Sequence, residues 1–269
     1  MIQSIIVFLF ILGLTVGSFL NVVAYRSVHG GSIVSGSSKC PHCKHTLRAL
    51  DLIPIASFLL LRGQCRYCHK KISVRYPLVE AASGLLFLYV GYHWYVVAGS
   101  FILSFDSIFY LIFLLFIVSV LLALFITDLV DGLLPNVITL PAIGVAALYK
   151  IYLVVFGSIT IVGLGVDLLV AFLMAAIFFG LVYFSGERAL GGGDVKLAFL
   201  IGLFVGWPSI LVGLFIGFLT GGLASVMLLL IGKKRFGDTV PLGPFLTIGA
   251  LSALFWGPQI LEFYVKSML

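Results

Sequence analysis

The chain has 269 residues, of which 62% are hydrophobic and 10% charged, and its mean hydropathy is +1.24. That composition excludes an ordinary water-soluble domain and predicts an all-α polytopic membrane protein, because helices satisfy their own backbone hydrogen bonds in lipid. The formal net charge of +6 is read as membrane topology and contact with anionic membrane lipid, so nucleic acid is not expected as a partner.

A helix needs about 20 apolar residues to cross the hydrocarbon core, and on that measure the sequence holds about eight candidate transmembrane helices. Their approximate ranges are 2–24, 77–97, 107–127, 135–156, 167–184, 194–206, 209–231 and 244–265. The sixth is short and is expected to tilt or to stop partway, which lipid tolerates where protein or water satisfies the helix ends. The opening segment lacks a basic flank and an obvious cleavage site before Asn21, so it is read as a retained span. Placing the following loop in the cytoplasm puts every Lys and Arg on that side except Lys150 and Lys266. The bias predicts both termini outside.

In the first span, Gly13 and Gly17 lie one turn apart and predict close helix packing, while Asn21 could instead line a polar cavity. The polar segment 25–76 then carries all four cysteines as Cys40-Pro41-His42-Cys43 and Cys65-Arg66-Tyr67-Cys68. Two such pairs, 21 residues apart, predict a small zinc-ribbon-like insert in which Cys40, Cys43, Cys65 and Cys68 bind one structural Zn2+. A redox pair or unliganded thiols is the alternative. His42, His45 and His69 are read as solvated or outer groups, since four thiolates fill a tetrahedral shell. An insert this small is expected to couple folding to metal binding.

Glu80 falls near the start of the second span, where a carboxylate suits the helix dipole, with a functional role as the alternative. Asp106 and Asp167 are read as solvated helix-start residues at the outer face. Asp128 closes the third span, and Asp131 follows it as a candidate turn residue. Gly191-Gly192-Gly193-Asp194-Val195-Lys196 delivers a second carboxylate to the mouth of the sixth span. Neither phosphate-binding glycine pattern is present, so the glycines are read as permitting a tight turn and close backbone approach. Gly213, Gly217 and Gly221 predict a packing face. Pro241-Leu242-Gly243-Pro244-Phe245 is read as a rigid bend without catalytic meaning. No internal repeat is evident. The chain divides into a first transmembrane helix at 1–24, the zinc insert at 25–76, a second helix and outer loop at 77–106, and a membrane bundle at 107–269.

Asp128 and Asp194 are costly to desolvate and mark a functional site. Two such acids suit carboxyl-pair chemistry, with one protonated while the other is ionised. Helix direction assigns the proton to Asp128, at the negative end of its helix, and the charge to Asp194, at a positive end next to Lys196, although the pair titrates as a unit. A proton- or cation-coupled transporter would also use such acids, but the zinc insert and the lack of inverted-repeat symmetry count against it. A zinc-bearing assembly protein without chemistry would leave the acids unexplained.

In order along the chain, Gly17-Ser18-Phe19-Leu20-Asn21-Val22-Val23-Ala24-Tyr25-Arg26, the cysteine pairs, Arg75-Tyr76-Pro77-Leu78-Val79-Glu80, Asp128 with Pro135-Asn136, the glycine run with Asp194, and the 241–245 bend resemble the type IV prepilin leader peptidase / N-methyltransferase family of GxGD-type membrane aspartic proteases. The resemblance spans nearly the whole chain. It implies that Asp128 and Asp194 are the catalytic pair. The substrates implied are type IV prepilin or pseudopilin precursors, cut after Gly at the cytoplasmic face of the bacterial inner membrane to release a short basic leader. It further implies methylation of the new N-terminus by S-adenosylmethionine, at a site left unassigned here. Family members differ in keeping the cysteines, and this chain has all four.

Overall fold

A computed structural model describes residues 2–33, 35–99, 104–186, 190–235 and 238–268. Glu187, Arg188 and Ala189, which lead into the glycine run, lie outside them. The described residues form nine α-helices: α1 (Ile2–His29), α2 (Ala56–Leu60), α3 (Arg75–Ala98), α4 (Phe105–Asp131), α5 (Asn136–Val155), α6 (Ile161–Ser185), α7 (Gly192–Val205), α8 (Ile210–Leu230) and α9 (Gly243–Met268). Seven of these, all but α2 and α7, are long and apolar enough to cross a membrane. The 14 residues of α7 reach about 21 Å, short of the roughly 30 Å hydrocarbon core. The expected eight crossings are therefore seven full-length helices and one short one.

The chain forms two compact units, residues 1–123 and 124–269. In the first, α1 and α3 are joined by small residues. A Cβ on Gly13 would fall 2.7 Å from Phe87 Cβ, and one on Gly17 would fall 2.8 Å from both Glu80 Cα and Ser83 Cβ. The small-residue reading of α1 therefore holds. Asn21 lies in the same seam, buried, and its side-chain amide donates to the Gly17 and Tyr76 carbonyls at 3.3 and 3.2 Å. From the last turn of α1, the Arg26 guanidinium donates to the carbonyls of Ser32, Ser35, Gly36 and Ser37, which orders the loop into the insert.

The insert contains a repeat that the sequence reading missed. Cys40 N–H donates to His45 O and Lys44 N–H to Cys40 O, and Cys65 N–H donates to Lys70 O and His69 N–H to Cys65 O in the same pattern. Lys44 and His69, at equivalent positions, both have positive φ, and each turn closes with one antiparallel bridge, Lys39 to Thr46 and Gln64 to Lys71. Apart from the two cysteines, the copies share little side-chain identity. The repeat is carried by the backbone.

In the second unit α7 is buried along most of its length, with Leu197, Ala198, Leu200, Ile201, Leu203 and Phe204 enclosed and Gly202 packed on Ala171 of α6. A helix apolar on all sides belongs in such a position. Gly213, Gly217 and Gly221 of α8 pack on Phe245, Leu246, Gly249 and Ala253 of α9, as their spacing predicts.

Asp167 departs from its expected place as a solvated helix-start residue. Because α6 begins at Ile161, capped by the Thr160 hydroxyl, Asp167 lies in its second turn. It accepts from Lys150 Nζ at 2.6 Å and from the Trp207 backbone N–H at 3.1 Å. Lys150 is itself buried within α5. Trp207 follows the end of α7, so the ion pair satisfies polar backbone where a short helix stops, which lipid could not do.

Candidate active site

Two polar constellations emerge, one in each unit. In the insert, the four cysteine sulfurs lie within 4.8 Å of one another, with Cys40 and Cys68 Sγ 3.9 Å apart. A tetrahedral zinc with Zn–S near 2.3 Å sets sulfurs about 3.8 Å apart, so the cluster fits a metal ion. All four thiols are free. Burial opposes ionisation of Cys40, but the Cys43 and His42 amides and the neighbouring Cys65 and Cys43 thiols lower it to about 7. Cys68 gains from the Lys70 amide, yet burial and the thiols of Cys65, Cys43 and Cys40 push it up to about 11. Ionisation is thus eased at Cys40 and opposed at Cys68, and a bound cation would favour the thiolate form of its ligands.

Around the cluster, the His45 ring lies 3.7 Å from that of Tyr67, linking the two turns. His42, His45 and His69 are exposed, as expected. Asp51 binds the Arg48 amide at 3.0 Å, Arg66 Nε at 2.7 Å and the Tyr67 hydroxyl at 3.0 Å. Burial works against its ionisation, but these three donors hold it below the usual carboxylate range.

In the second unit, Asp128 occupies the last turn of α4 and Asp194 the first turn of α7, and they are only 6% and 7% exposed. Their charges are close enough to interact. Asp194 Oδ2 accepts the Gly191 N–H at 3.0 Å, the reach-back half of a capping box, and Asp194 N–H donates to Gly191 O. Asp128 Oδ2 and Asp194 Oδ1 are buried without hydrogen-bond partners. Buried polar atoms are nearly always satisfied, so two orphaned carboxylate oxygens in one place are suited to a water, a proton or a polar substrate atom. Asp131 ends α4 half-exposed, one turn beyond Asp128.

Backbone without side chains makes this approach possible. A Cβ on Gly193 would lie 2.9 Å from Leu134 Cβ, so α7 can start here only with glycine at that position. Gly191 and Gly192 meet no such obstruction, and Gly191 has an ordinary φ of −90°. The expected close approach thus belongs to Gly193 rather than to all three glycines. Lys196 donates to Asn136 Oδ1 at the start of α5, so it ties two helices together instead of facing Asp194 as expected.

The 241–245 bend also has a different role from the one expected. A Cβ on Gly243 would sit 2.5 Å from Asp128 Oδ2. Gly243 is therefore the site residue that sequence reasoning missed. A glycine between two prolines at a helix start was the available signal.

Residues 115–226, which include both aspartates, match the model of the type IV leader peptidase family, and residues 11–94, which include the cysteines, match that of the bacterial peptidase A24 N-terminal domain. The chain is 30% identical to a prepilin leader peptidase/N-methyltransferase of Aeromonas hydrophila over 97% of this chain and 93% of that protein. The chain belongs to the type IV prepilin leader peptidase family. Relatives bearing the same name in Stutzerimonas stutzeri and Legionella pneumophila are 31% and 34% identical, covering 95% and 85% of this chain and 92% and 75% of their own lengths. No solved structure matches. Membership in this peptidase family makes the chain an enzyme and leaves the transporter reading without support. The leader peptidase family match and the cysteine-bearing match also fall on either side of residue 100, each mainly within one compact unit.

Glu80 departs from its expected capping role. It lies in the second turn of α3, buried, and accepts the Ile55 backbone N–H at 2.7 Å. Among the described residues, both acids that the sequence singled out are buried and its four thiols are clustered, whereas Gly243 and the partner of Glu80 were not singled out.

Proposed function

We propose that this protein is a membrane aspartic endopeptidase that removes the short basic leader of type IV prepilins or pseudopilins after Gly, and then methylates the new N-terminus. The buried pair Asp128 and Asp194, each with an unpartnered oxygen, carries the peptidase reading. Within the pair, Asp194 begins as the base, favoured by the positive end of α7 and the Gly191 N–H, and Asp128 as the acid, at the negative end of α4.

Asp194 removes a proton from water as the oxygen attacks the scissile carbonyl, and protonated Asp128 donates to the developing oxyanion. Collapse of the tetrahedral adduct breaks the C–N bond, and the proton on Asp194 passes to the leaving amine. No covalent enzyme intermediate forms. The positive-inside bias supports a bacterial inner-membrane location with the aspartates and the insert at the cytoplasmic face. There the leader stays in the cytoplasm and the substrate helix in the bilayer.

Cys40, Cys43, Cys65 and Cys68 would hold one Zn2+ as a scaffold for residues 25–76, a role their free, clustered sulfurs suit. Bound S-adenosylmethionine would supply an electrophilic methyl group for the freed amine. The α1–α3 seam contains unpartnered Asn21 Oδ1, Arg75 Nε and Ser83 Oγ. Gly17 packs directly on Glu80 and Ser83 at one level of that seam. The donor site is not assigned.

Mass spectrometry of a co-expressed precursor tests the reading, since one N-terminal fragment reports both cut position and methylation. An intact leader with the wild-type protein would overturn it.

A further inference from the structure

The insert between α1 and α3 contains an apolar stretch, residues 49–61, that neither the thiol cluster nor the carboxylate pair uses. It is 13 residues long, holds one charged group, Asp51, and is bounded by Arg48 and Arg62. An apolar run of that length is too short to cross a bilayer and suits a buried core or an interfacial segment. The exposure of its side chains excludes the core. Leu59 and Leu60 are 67% and 83% exposed, and Leu50, Leu52 and Ile53 are exposed as well. Among the described residues of 30–74, the one other exposed large apolar side chain is Val74, directly before α3. Asp51 does not interrupt the patch, because its carboxylate is only 4% exposed and is turned onto Arg66 and Tyr67.

A hydrogen bond fixes the depth of the segment. The 24 residues of α3 reach about 36 Å, which exceeds a hydrocarbon core of roughly 30 Å by about two residues at each end. Glu80 lies in the second turn of α3 and is therefore close to the edge of the core. Ile55 stands beside it, donating its backbone N–H to Glu80 Oε2 at 2.7 Å. Backbone polar groups at that depth must be satisfied by protein. The N–H groups of Asp51, Leu52, Ser57, Leu59 and Leu61 accordingly donate to carbonyls of residues 48–57. Pro54 and Ile55 form a turn between the two apolar halves, and both flanking arginines are exposed.

We propose that residues 49–61 are an interfacial membrane anchor. Leu50, Leu52, Ile53, Leu59 and Leu60 enter the edge of the leaflet on the insert's side, and Arg48 and Arg62 bind anionic lipid phosphates at headgroup level. The insert thereby lies against the bilayer, held by lipid as well as by Glu80. A second copy is the poorer occupant, since a symmetric contact would set the same arginines against each other.

The test uses full-length protein in nanodiscs of phosphatidylcholine and phosphatidylglycerol in equal amounts. The photo-crosslinking residue benzoylphenylalanine replaces Leu50 or Leu60 and, for reference, Phe8 on the exposed side of α1 or Thr46 in the first cysteine turn. Mass spectrometry then reads the adducts. Lipid adducts at positions 50 and 60 are expected within threefold of those at position 8 and at least tenfold above those at position 46. Phosphatidylglycerol is expected to be enriched at least threefold among them, and Arg48→Gln with Arg62→Gln to abolish that enrichment. The unlabelled wild type is footprinted with hydroxyl radicals in the same nanodiscs. Leu59 and Leu60 are expected to oxidise within threefold of the rate of buried Leu20.

A lipid adduct missing at position 50 or 60 overturns the anchor when the wild-type footprint also shows fast oxidation of Leu59 and Leu60. Where label and footprint disagree, the unlabelled wild type decides, fast oxidation overturning the anchor and slow oxidation supporting it. A cross-link from either position to a second copy overturns it in favour of a protein interface. Enrichment that persists in the double arginine variant overturns the headgroup role of Arg48 and Arg62.

Discussion

In the insert, Cys40 and Cys65 each open a copy of one hydrogen-bonded turn, so short-range backbone geometry presents the thiols and the chain has only to bring two similar turns together. Asp128 and Asp194 have no such local frame in common. One ends a helix and the other begins one, and they meet because Gly193 and Gly243 let backbone approach where a methyl group would collide. A metal site can thus be specified by a pattern that repeats along the chain, whereas the acid pair depends on packing among α4, α5, α7 and α9. Damage should stay local in the first region and spread in the second.

Replacing the acids should give the largest effect. Asp128→Asn and Asp194→Asn are each expected to lower cleavage of a precursor by at least about 100-fold, the scale of lost acid or base catalysis, with the fold intact. Asp131→Asn keeps most activity. Equal losses at all three positions, in folded protein, would remove the distinction between a buried pair and a neighbouring turn residue.

Loss of the metal tests the other side of the comparison. Changing Cys40, Cys43, Cys65 and Cys68 to Ser should abolish zinc in purified protein and speed hydrogen exchange across residues 38–72, while cleavage stays within about threefold because zinc holds that fold and not the acids. Metal analysis showing no zinc in the wild type, with four alkylatable thiols, would refute the site.

A smaller effect is expected at the far end of α7. Asp167→Asn leaves buried Lys150 unpaired, and breaking such a pair from one side costs about 3 kcal/mol in globular proteins. The variant should therefore show a lower Tm in detergent, and Lys150→Met with Asp167→Leu should recover part of it. A Tm unchanged by the single substitution would show that the pair is not needed to end the short helix.

The smallest change is a single methyl group. Gly243→Ala should lower cleavage by about tenfold, roughly 1.4 kcal/mol, by pressing on Asp128, whereas Gly191→Ala, with open space around it, should stay within about twofold. Equal effects would mean that the close approach to Asp128 is unimportant.

The sequence by itself determined the all-α membrane class, seven full-length helices and a short eighth, the four thiols and both acids. These follow from hydropathy, residue spacing and the cost of placing a carboxylate at a membrane boundary. It did not reveal the repeat in the insert, because that repeat resides in backbone hydrogen bonds and positive φ angles at Lys44 and His69, which unlike residues share. Nor could it assign Lys150 to Asp167, Lys196 to Asn136 or Glu80 to Ile55. In each case the partner lies at least 17 residues away along the chain, and only the packing of helices selects it from the other polar groups. Gly243 belongs with them. The sequence shows that it has no side chain, but only the tertiary structure shows that Asp128 occupies the space where one would be.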